Sequence, residues 1–299
     1  MIEPNFFIVG GMRCGTTSLW SYLRQHPEVY MPENKEPIFF CTSHKSRKKV
    51  KEFSEYLDLF SFAKKEKAIG EASAAYLTSP ESAELIYMKY PSAKIIISIR
   101  NPVEQIYSVY QWMIREGWEW LSPFEKALEA EEERWNNIKF RESVLYQYVY
   151  FYSCFALYSK QIKRYLAVFP REKVKIILFD DLKINPIETV KDIYSFLEVD
   201  SKFTPEIDIF NKSNVPMSVY WHFILKNRLN VLSEKYFIPI YFQKIIKRFF
   251  FKINISIGGF FEKKITLENK VKLLNFYKED IVETSKIINR NLDNWLILK

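Results

Sequence analysis

The residues best suited to chemistry stand together near the start of the chain, between Gly10 and Ser18. They read Gly-Gly-Met-Arg-Cys-Gly-Thr-Thr-Ser, and an apolar, strand-like run at 6–9 precedes them. Apolar residues at helical spacing begin at Leu19. A strand, a glycine turn and a helix in this order point free backbone N–H groups at an anion. The turn therefore predicts a binding site for phosphate or a group of similar shape.

The details of the turn argue against a nucleoside triphosphate as the ligand. The nucleotide loop pattern G-x-x-x-x-G-K-[ST] needs a lysine that reaches the β- and γ-phosphates. Gly10 and Gly15 have that spacing, but Thr16 stands at the lysine position and the basic residue, Arg13, lies inside the loop. Asp180 follows a strand-like run but begins a predicted loop, so it makes a poor magnesium-holding aspartate. A plain connecting turn would explain the glycines but neither the arginine nor the hydroxyl cluster.

The loop resembles the 5′-phosphosulfate loop of sulfotransferases that use 3′-phosphoadenosine 5′-phosphosulfate (PAPS). That family places Lys or Arg two residues before Gly-Thr-Thr, where Arg13 stands here. The resemblance implies that Arg13 stabilises charge on the leaving phosphate oxygen. It also implies that backbone amides and hydroxyls hold the phosphosulfate, so the predicted donor-binding residues of the loop are Arg13, Cys14, Gly15, Thr16, Thr17 and Ser18.

A second segment, Lys-Glu-Pro-Ile-Phe-Phe at 35–40, resembles the KEPxFF segment of carbohydrate-type members, which are related to the heparan sulfate sulfotransferases. In those enzymes the glutamate is the proposed general base, and this implies the same role for Glu36. A carboxylate within hydrogen-bond reach can take the proton of an acceptor hydroxyl as it attacks sulfur. The alternative is a surface Lys-Glu pair before a buried Phe-Phe. His44 is a reserve candidate for the base.

The stretch Gly-Glu-Ala-Ser-Ala-Ala-Tyr-Leu at 70–77 resembles a family segment that lies near donor and acceptor. Some members have lysine where this chain has Ala72, so one possible phosphosulfate or acceptor contact is missing. For Glu71 and Ser73, a chemical role and a packing role both stay open.

A further segment at 94–110 combines strand, turn and helix signals. The β-branched run at 94–99 predicts a buried strand, Asn101-Pro102 ends it, and apolar residues then recur at helical spacing. Arg100 thus ends a strand, and Ser108 lies about two turns into the next helix, near enough to share one ligand. In the resembling family the matching Arg and Ser bind the 3′-phosphate of the donor. The arginine fork suits phosphate, although an arginine at a strand end is also a common salt-bridge partner.

The resemblance covers roughly residues 5–216 and 265–296 and implies an α/β fold. We expect a central parallel sheet flanked by helices, as in P-loop nucleotide-binding proteins, in one domain over residues 1–299. A chain of 299 residues can bury a substantial core. Later signals predict a strand at 174–179 and a helix that begins at Pro186 with Asn185 as its cap.

The net charge of +8 is concentrated in one stretch. Residues 222–264 carry 9 Lys/Arg against 2 Glu and are rich in aromatic residues. We interpret residues 217–264 as a helical insertion, which could contact an anionic membrane surface or line a cleft for an acidic glycan. A solvated basic face over buried aromatics is an equal alternative. Nucleic acid is not expected, because no recognition motif accompanies the charge.

The 3 cysteines, Cys14, Cys41 and Cys154, are widely spaced and form no metal-binding pattern. Cys14 is either a reactive thiol or a small residue that the loop requires. No signal peptide precedes the first strand and no apolar run spans a bilayer, which predicts a cytoplasmic protein of bacterial type. Peripheral contact with the inner face of the membrane is compatible with this prediction.

The predicted reaction moves a sulfuryl group from PAPS to a hydroxyl or amine of a carbohydrate or glycolipid, and leaves adenosine 3′,5′-bisphosphate (PAP). No metal is expected, because the transferred group carries one negative charge fewer than a phosphoryl group. Two alternatives remain: a nucleotide-dependent kinase, and a non-catalytic nucleotide-binding protein on the same scaffold.

Overall fold

The computed structural model describes residues 2–42, 50–144, 147–207 and 265–298, together with positions 219 and 223. Within these ranges one sheet contains five strands, in the order β2-β3-β1-β4-β5. Every neighbouring pair is parallel. The predicted α/β class with a central parallel sheet is therefore confirmed. The strands are β1 (Phe6–Gly10), β2 (Val29–Tyr30), β3 (Ala68–Ala72), β4 (Lys94–Ile99) and β5 (Val174–Leu178).

Helices cover both faces of the sheet. In chain order they are α1 (Thr16–Leu23), α2 (Phe53–Asp58), α3 (Ser82–Lys89), α4 (Pro102–Arg115), α5 (Phe124–Glu129), α6 (Glu131–Asn136), α7 (Ile138–Ser143), α8 (Tyr152–Phe155), α9 (Tyr158–Val168), α10 (Phe179–Ile184), α11 (Pro186–Leu197) and α12 (Leu267–Ile288).

The two central strands, β1 and β4, divide the core. Successive side chains of a strand point to opposite faces, so Phe7 and Val9 join a large apolar cluster with residues of α3, α4, α9 and α12. Phe6 and Ile8 join a smaller cluster with residues of α1 and α11. Burial on both faces explains why these strands read as continuous apolar runs in the sequence.

The carboxyl end of β4 shows how a short sequence signal sets the start of a helix. Pro102 is the first residue of α4, and the Asn101 side chain accepts hydrogen bonds from the amides of Val103 and Glu104, at 3.0 and 3.3 Å. This cap fixes the direction of α4, which carries Ser108, relative to the strand that ends before Arg100.

Two local expectations around β5 need correction. The strand ends at Leu178, and Phe179 begins α10, so Asp180 lies in a helix and not in a loop. An aspartate in the first turn of a helix is favoured by the helix dipole. Pro186 begins α11 as predicted, but the Asn185 side chain makes no cap hydrogen bond within the described structure.

Some predicted features lie outside the described residues. These are His44 and nearly all of the proposed insertion at 217–264, including its basic, aromatic stretch at 222–264. Among the helices that the structure describes, none combines the length and the apolar character needed to cross a membrane.

Candidate active site

The turn after β1 requires glycine at its two key positions. Gly10 and Gly15 have φ angles of 148° and 83°, which side-chain-bearing residues rarely adopt. A Cβ added to Gly15 would lie only 2.7 Å from Leu182 Cδ2. Gly15 is the residue before α1, so the amides of residues 16–18 form the first turn of that helix and have no carbonyl partner inside it. The turn thus presents backbone donors at a helix N-terminus, as the sequence predicts.

Contacts beneath the loop hold its backbone in place. Ser98, near the end of β4, donates its hydroxyl to the carbonyl of Cys14 at 2.6 Å. Gln105 of α4 donates its side-chain amide to the carbonyl of Met12 at 2.8 Å. The amides of Gly11 and Cys14 also have backbone partners, so the donors that the loop offers to an anion are the amides at the start of α1.

Arg13 connects the loop to α4. Its Nε donates a hydrogen bond to Ser108 Oγ, with 3.1 Å between the two atoms. The two residues are 95 positions apart in the chain. They are brought together because β1 and β4 are neighbours in the sheet. The bond leaves the terminal guanidinium nitrogens of Arg13 and the hydroxyl proton of Ser108 for other partners.

Positive charge is concentrated at this point. Burial, and then repulsion from Arg115 and Arg100, lowers the pKa of Arg13 to about 10. A pKa lowered by neighbouring cations marks a place where a bound anion would relieve repulsion. The Arg13 guanidinium stays protonated at neutral pH, so the electrostatics favour a ligand with several negative charges.

Arg100 follows β4, as predicted, and its guanidinium contacts two neighbours. Its Nε and Nη2 donate to Oε2 of Glu104, in the first turn of α4, at 3.1 and 2.9 Å. It also lies over the ring of Phe179, with 4.8 Å from Cζ to the ring centroid. These two contacts orient the guanidinium beside the loop.

Glu36 is tied to the chain that follows β3 and lines the same cleft as the loop. Its backbone has a positive φ of 63°. Oε2 accepts a hydrogen bond from the amide of Ala74 at 2.9 Å. Oε1 forms an ion pair with Lys35 Nζ. The carboxylate is one-third exposed, so an acceptor group arriving from solvent can reach it.

One cleft of about 430 Å³ collects nearly all the predicted side chains. It lies at the carboxyl ends of β1, β3, β4 and β5, where ligands bind in open parallel sheets. The predicted residues that line it are Arg13, Gly15, Thr16, Thr17, Ser18, Glu36, Arg100 and Ser108. Residues that sequence reasoning had assigned no role there are Met12, Lys35, Ala74, Trp112, Phe179 and Lys183.

Two sequence signals could have found some of these additional residues. Trp112 stands four positions after Ser108 and so shares its face of α4. Phe179 and Lys183 follow β5, and the rule that ligands bind at the carboxyl ends of parallel strands points to that position. Lys35 belongs to the quoted 35–40 segment, but nothing in its sequence context separates a cleft lysine from a surface one.

Cys14 is the predicted donor-binding residue that the structure turns inward. Its thiol is fully buried, 3.9 Å from the hydroxyl of Tyr158 and 3.4 Å from the carbonyl of Met12. Its amide donates to the carbonyl of Gly11 at 3.2 Å. Burial raises the pKa of the Cys14 thiol to about 12, so the thiol stays protonated at neutral pH. Of the two interpretations of Cys14, the structure favours a small residue that packs under the loop.

Asp180 is held away from the loop. Its Oδ2 accepts a hydrogen bond from the indole Nε1 of Trp295 at 3.3 Å. It lines a separate, small pocket with residues of the chain terminus. A magnesium-dependent kinase would need an aspartate at the cleft to hold the metal. Because of its position, Asp180 is not a candidate for that role.

The fold and the cleft define an α/β protein that binds an anionic ligand at the carboxyl edge of its sheet. Comparison with known proteins agrees with this class. Residues 3–221 match the family model described as a sulfotransferase domain. That match spans more than half of the chain, so the chain belongs to the sulfotransferase family, and the resemblance stated from the motifs is confirmed.

A solved structure supports the same assignment over the whole length. The crystal structure of a sulfotransferase from Alicyclobacillus acidocaldarius is 30% identical, covers 99% of both chains and has a TM-score of 0.74. The P-loop-like sulfotransferase fold is thereby confirmed.

Two curated relatives match parts of the chain. The membrane-associated sulfotransferase kil1 of Dictyostelium discoideum is 30% identical over 38% of this chain and 23% of its own length. Carbohydrate sulfotransferase 15 of Mus musculus is 26% identical over 66% of this chain and 44% of its own length. The chain thus spans less than half the length of either relative.

Proposed function

We propose that this protein transfers the sulfuryl group of PAPS to a hydroxyl or amine of a carbohydrate or glycolipid and releases PAP. The observation that carries the proposal is that the glycine loop, Arg13, Glu36, Arg100 and Ser108 all line one cleft. Backbone amides that can bind an anion, two arginines and a carboxylate line this cleft. These are the groups that transfer of a sulfuryl group from a mixed anhydride needs.

The donor would lie along the loop. The amides of residues 16–18 and the terminal nitrogens of Arg13 would hold the 5′-phosphosulfate. Arg100 and the hydroxyl proton of Ser108 would hold the 3′-phosphate. The rings of Trp112 and Phe179, which both line the cleft, offer apolar surface for the adenine.

The reaction is an in-line displacement at sulfur. The acceptor oxygen or nitrogen forms a bond to sulfur as the bond from sulfur to the 5′-phosphate oxygen breaks. Glu36 takes the acceptor proton, and Arg13 stabilises the charge that appears on the leaving phosphate oxygen. Lys35, paired with Glu36, places a further cation beside the point of transfer. Positioning and electrostatics supply most of the acceleration, as in phosphoryl transfer.

A second cleft supports a saccharide acceptor. It measures about 490 Å³ and is lined by Arg24, Tyr30, Glu33, Asp58 and Phe62, among others. It reaches residue 34, next to the lysine and glutamate of the first cleft. Aromatic faces beside carboxylates and an arginine suit the rings and hydroxyls of sugars. The relative from Mus musculus is named a carbohydrate sulfotransferase, which points the same way.

We also propose a cytoplasmic location with peripheral contact to the membrane through residues 222–264. Their charge of +7, from 9 Lys/Arg and 2 Glu, would attract anionic headgroups. Sedimentation with anionic vesicles, compared with neutral vesicles and with a Lys247→Glu/Arg248→Glu variant, tests this. Equal sedimentation of both proteins with both vesicle types would contradict it.

The transfer itself is tested with radiolabelled PAPS and a panel of desulfated polysaccharides and glycolipids. We expect label to reach at least one saccharide acceptor with the parental protein and not with Glu36→Gln. PAP binding without transfer to any acceptor class would favour a non-catalytic binding protein, and phosphate transfer from ATP with Mg²⁺ would favour a kinase.

A further inference from the structure

The segment that carries Glu36 has an uncommon backbone. Glu36 and Ile38 have φ angles of 63° and 55°. Left-handed conformations are rare for residues with a Cβ and unusual for a β-branched side chain. Two such residues in a span of three need surrounding structure to hold them.

The chain that follows β3 supplies part of that support through its backbone. The amide of Glu36 donates to the carbonyl of Ala72 at 3.1 Å. The amide of Ala74 donates to the Glu36 carboxylate at 2.9 Å. Backbone and side chain of Glu36 are therefore both tied to residues 72–74.

Two hydroxyls supply further support. Ser73 Oγ accepts a hydrogen bond from the amide of Ile38 at 3.1 Å. The hydroxyl of Tyr76 accepts one from the amide of Phe40 at 3.2 Å. Each hydroxyl donates its single proton to Glu71, Ser73 to Oε2 and Tyr76 to Oε1, both at 2.7 Å.

The direction of these bonds depends on Glu71. A carboxylate only accepts hydrogen bonds, so both hydroxyl protons point at it and both hydroxyl lone pairs are turned toward the 36–40 segment. The Glu71 side chain is 1% exposed, so water does not replace it. When ionised, the Glu71 carboxylate thus sets the direction of the hydrogen bonds at both hydroxyls.

We infer that Glu71 is a positioning residue, which acts through the hydroxyls of Ser73 and Tyr76 to hold residues 36–40 so that Glu36 faces the cleft. This rests on the proposed function in one respect, namely that Glu36 is the base. Glu71 itself is buried beneath the segment and touches no substrate.

A pH dependence follows from the same geometry. Burial raises the pKa of Glu71 to about 7, and the charge of Glu36 adds to the rise. The other groups that face Glu71 are the phenols of Tyr56, Tyr76, Tyr90 and Tyr165. A protonated Glu71 becomes a donor at one oxygen, so the hydroxyl at that oxygen must accept from Glu71, turn its own proton elsewhere and share its lone pairs, which weakens its hydrogen bond from the 36–40 backbone. Activity is therefore expected to fall as the pH drops through about 7.

The test replaces Glu71 by glutamine, which keeps the shape but donates from one end. Glu71→Gln should lower kcat at least tenfold at pH 8, leave the PAP dissociation constant within twofold, and remove the change in kcat near pH 7. Ser73→Ala and Tyr76→Phe should each lower kcat severalfold. Tyr56→Phe is the matched control: its hydroxyl also bonds Glu71, at 3.3 Å, but it does not contact the 36–40 amides, so kcat at pH 8 should stay within twofold.

Hydrogen exchange supplies a second readout that does not depend on catalysis. The amides of Ile38 and Phe40 should exchange at least tenfold faster in Glu71→Gln than in the parental protein. Their exchange should be unchanged in Tyr56→Phe and Glu36→Gln. If Glu71→Gln does not fold, two other variants test the same links. The Ile38 amide should then exchange faster in Ser73→Ala, and the Phe40 amide should exchange faster in Tyr76→Phe.

The outcomes distinguish the positioning role of Glu71 from the proposed sulfuryl transfer. Parental kcat and parental exchange in Glu71→Gln would overturn the positioning role, and so would an unchanged pH profile. If the parental protein transfers no sulfate while the exchange rates change as expected, the proposed function fails and the structural role of Glu71 stands.

Discussion

Arg13 Nε and Ser108 Oγ lie 3.1 Å apart and share a hydrogen bond. The family resemblance assigns these residues to opposite ends of the donor, the phosphosulfate and the 3′-phosphate. Their direct contact means that the group proposed to hold one end of the nucleotide also orients the group proposed to hold the other.

Ser108→Ala should therefore weaken PAP binding by more than the loss of one phosphate contact. It removes a donor to the ligand and leaves Arg13 Nε without its acceptor. A hydrogen bond to a charged group contributes about 1.5–3 kcal/mol, or roughly 10- to 160-fold in affinity, so with two such bonds affected we expect affinity to fall more than about 100-fold in calorimetric titrations. Ser195→Ala, an exposed serine on α11, is the control. Equal affinity of Ser108→Ala and the control would refute the coupling.

Glu36→Gln should lower kcat by about 10²- to 10⁴-fold, the range for loss of a general base. The amide keeps the shape of the carboxylate but cannot accept the acceptor proton. PAP affinity should stay within about twofold, because the loop and Arg100 are unchanged. Glu172→Gln, at an exposed position, controls for loss of charge. If Glu36→Gln transferred sulfate at the parental rate, the base would have to be another group.

A buried ion pair that could not be predicted from the sequence should contribute to the free energy of unfolding. Arg134 donates from both terminal nitrogens to Glu119, each at 2.8 Å, and the Glu119 side chain is 0% exposed. Arg134→Met leaves a buried, uncompensated carboxylate and should reduce the free energy of unfolding in urea by about 3–5 kcal/mol. The double variant Arg134→Met/Glu119→Gln should recover much of that loss, because glutamine removes the charge and its oxygen can still accept from the amides of Trp120 and Leu121. A single variant as stable as the parental protein would show that the pair adds little.

The three thiols should differ sharply in reactivity toward a thiol reagent at pH 8. Cys154 is exposed, whereas Cys14 and Cys41 are buried. With its pKa raised by burial to about 12, Cys14 would be only about 10⁻⁴ thiolate at pH 8. We expect one fast-reacting thiol, which is lost in Cys154→Ser, and reaction of Cys14 only after unfolding. Rapid modification of Cys14 that PAP suppresses would instead show a reactive thiol inside the donor loop.

Local features of the fold were predictable because they depend on neighbouring residues. The glycine turn after β1, the proline start of α4, and Arg100 at the end of a strand each follow from a few adjacent residues. The general location of the site followed as well, since turns after parallel strands meet at one edge of the sheet.

Contacts between distant residues were not predictable. The bond from Arg13 to Ser108 and the links from Glu71 to the 36–40 segment depend on how the helices pack on the sheet. Cys14 shows the same limit, because its buried thiol lies against Tyr158, which is 144 positions away in the chain. Asp180 was placed in a loop because a two-residue acidic signal does not separate a turn from the first turn of a helix.

Comparative titration of the protein with three nucleotides tests the central claim most directly. PAP carries both phosphates that the cleft is proposed to hold, adenosine 5′-monophosphate lacks the 3′-phosphate, and ATP is given with Mg²⁺. We predict that PAP binds at least tenfold more tightly than either of the others, and that Arg100→Ala removes its advantage over adenosine 5′-monophosphate. ATP with Mg²⁺ binding as tightly as PAP, or no PAP binding at all, would contradict the account.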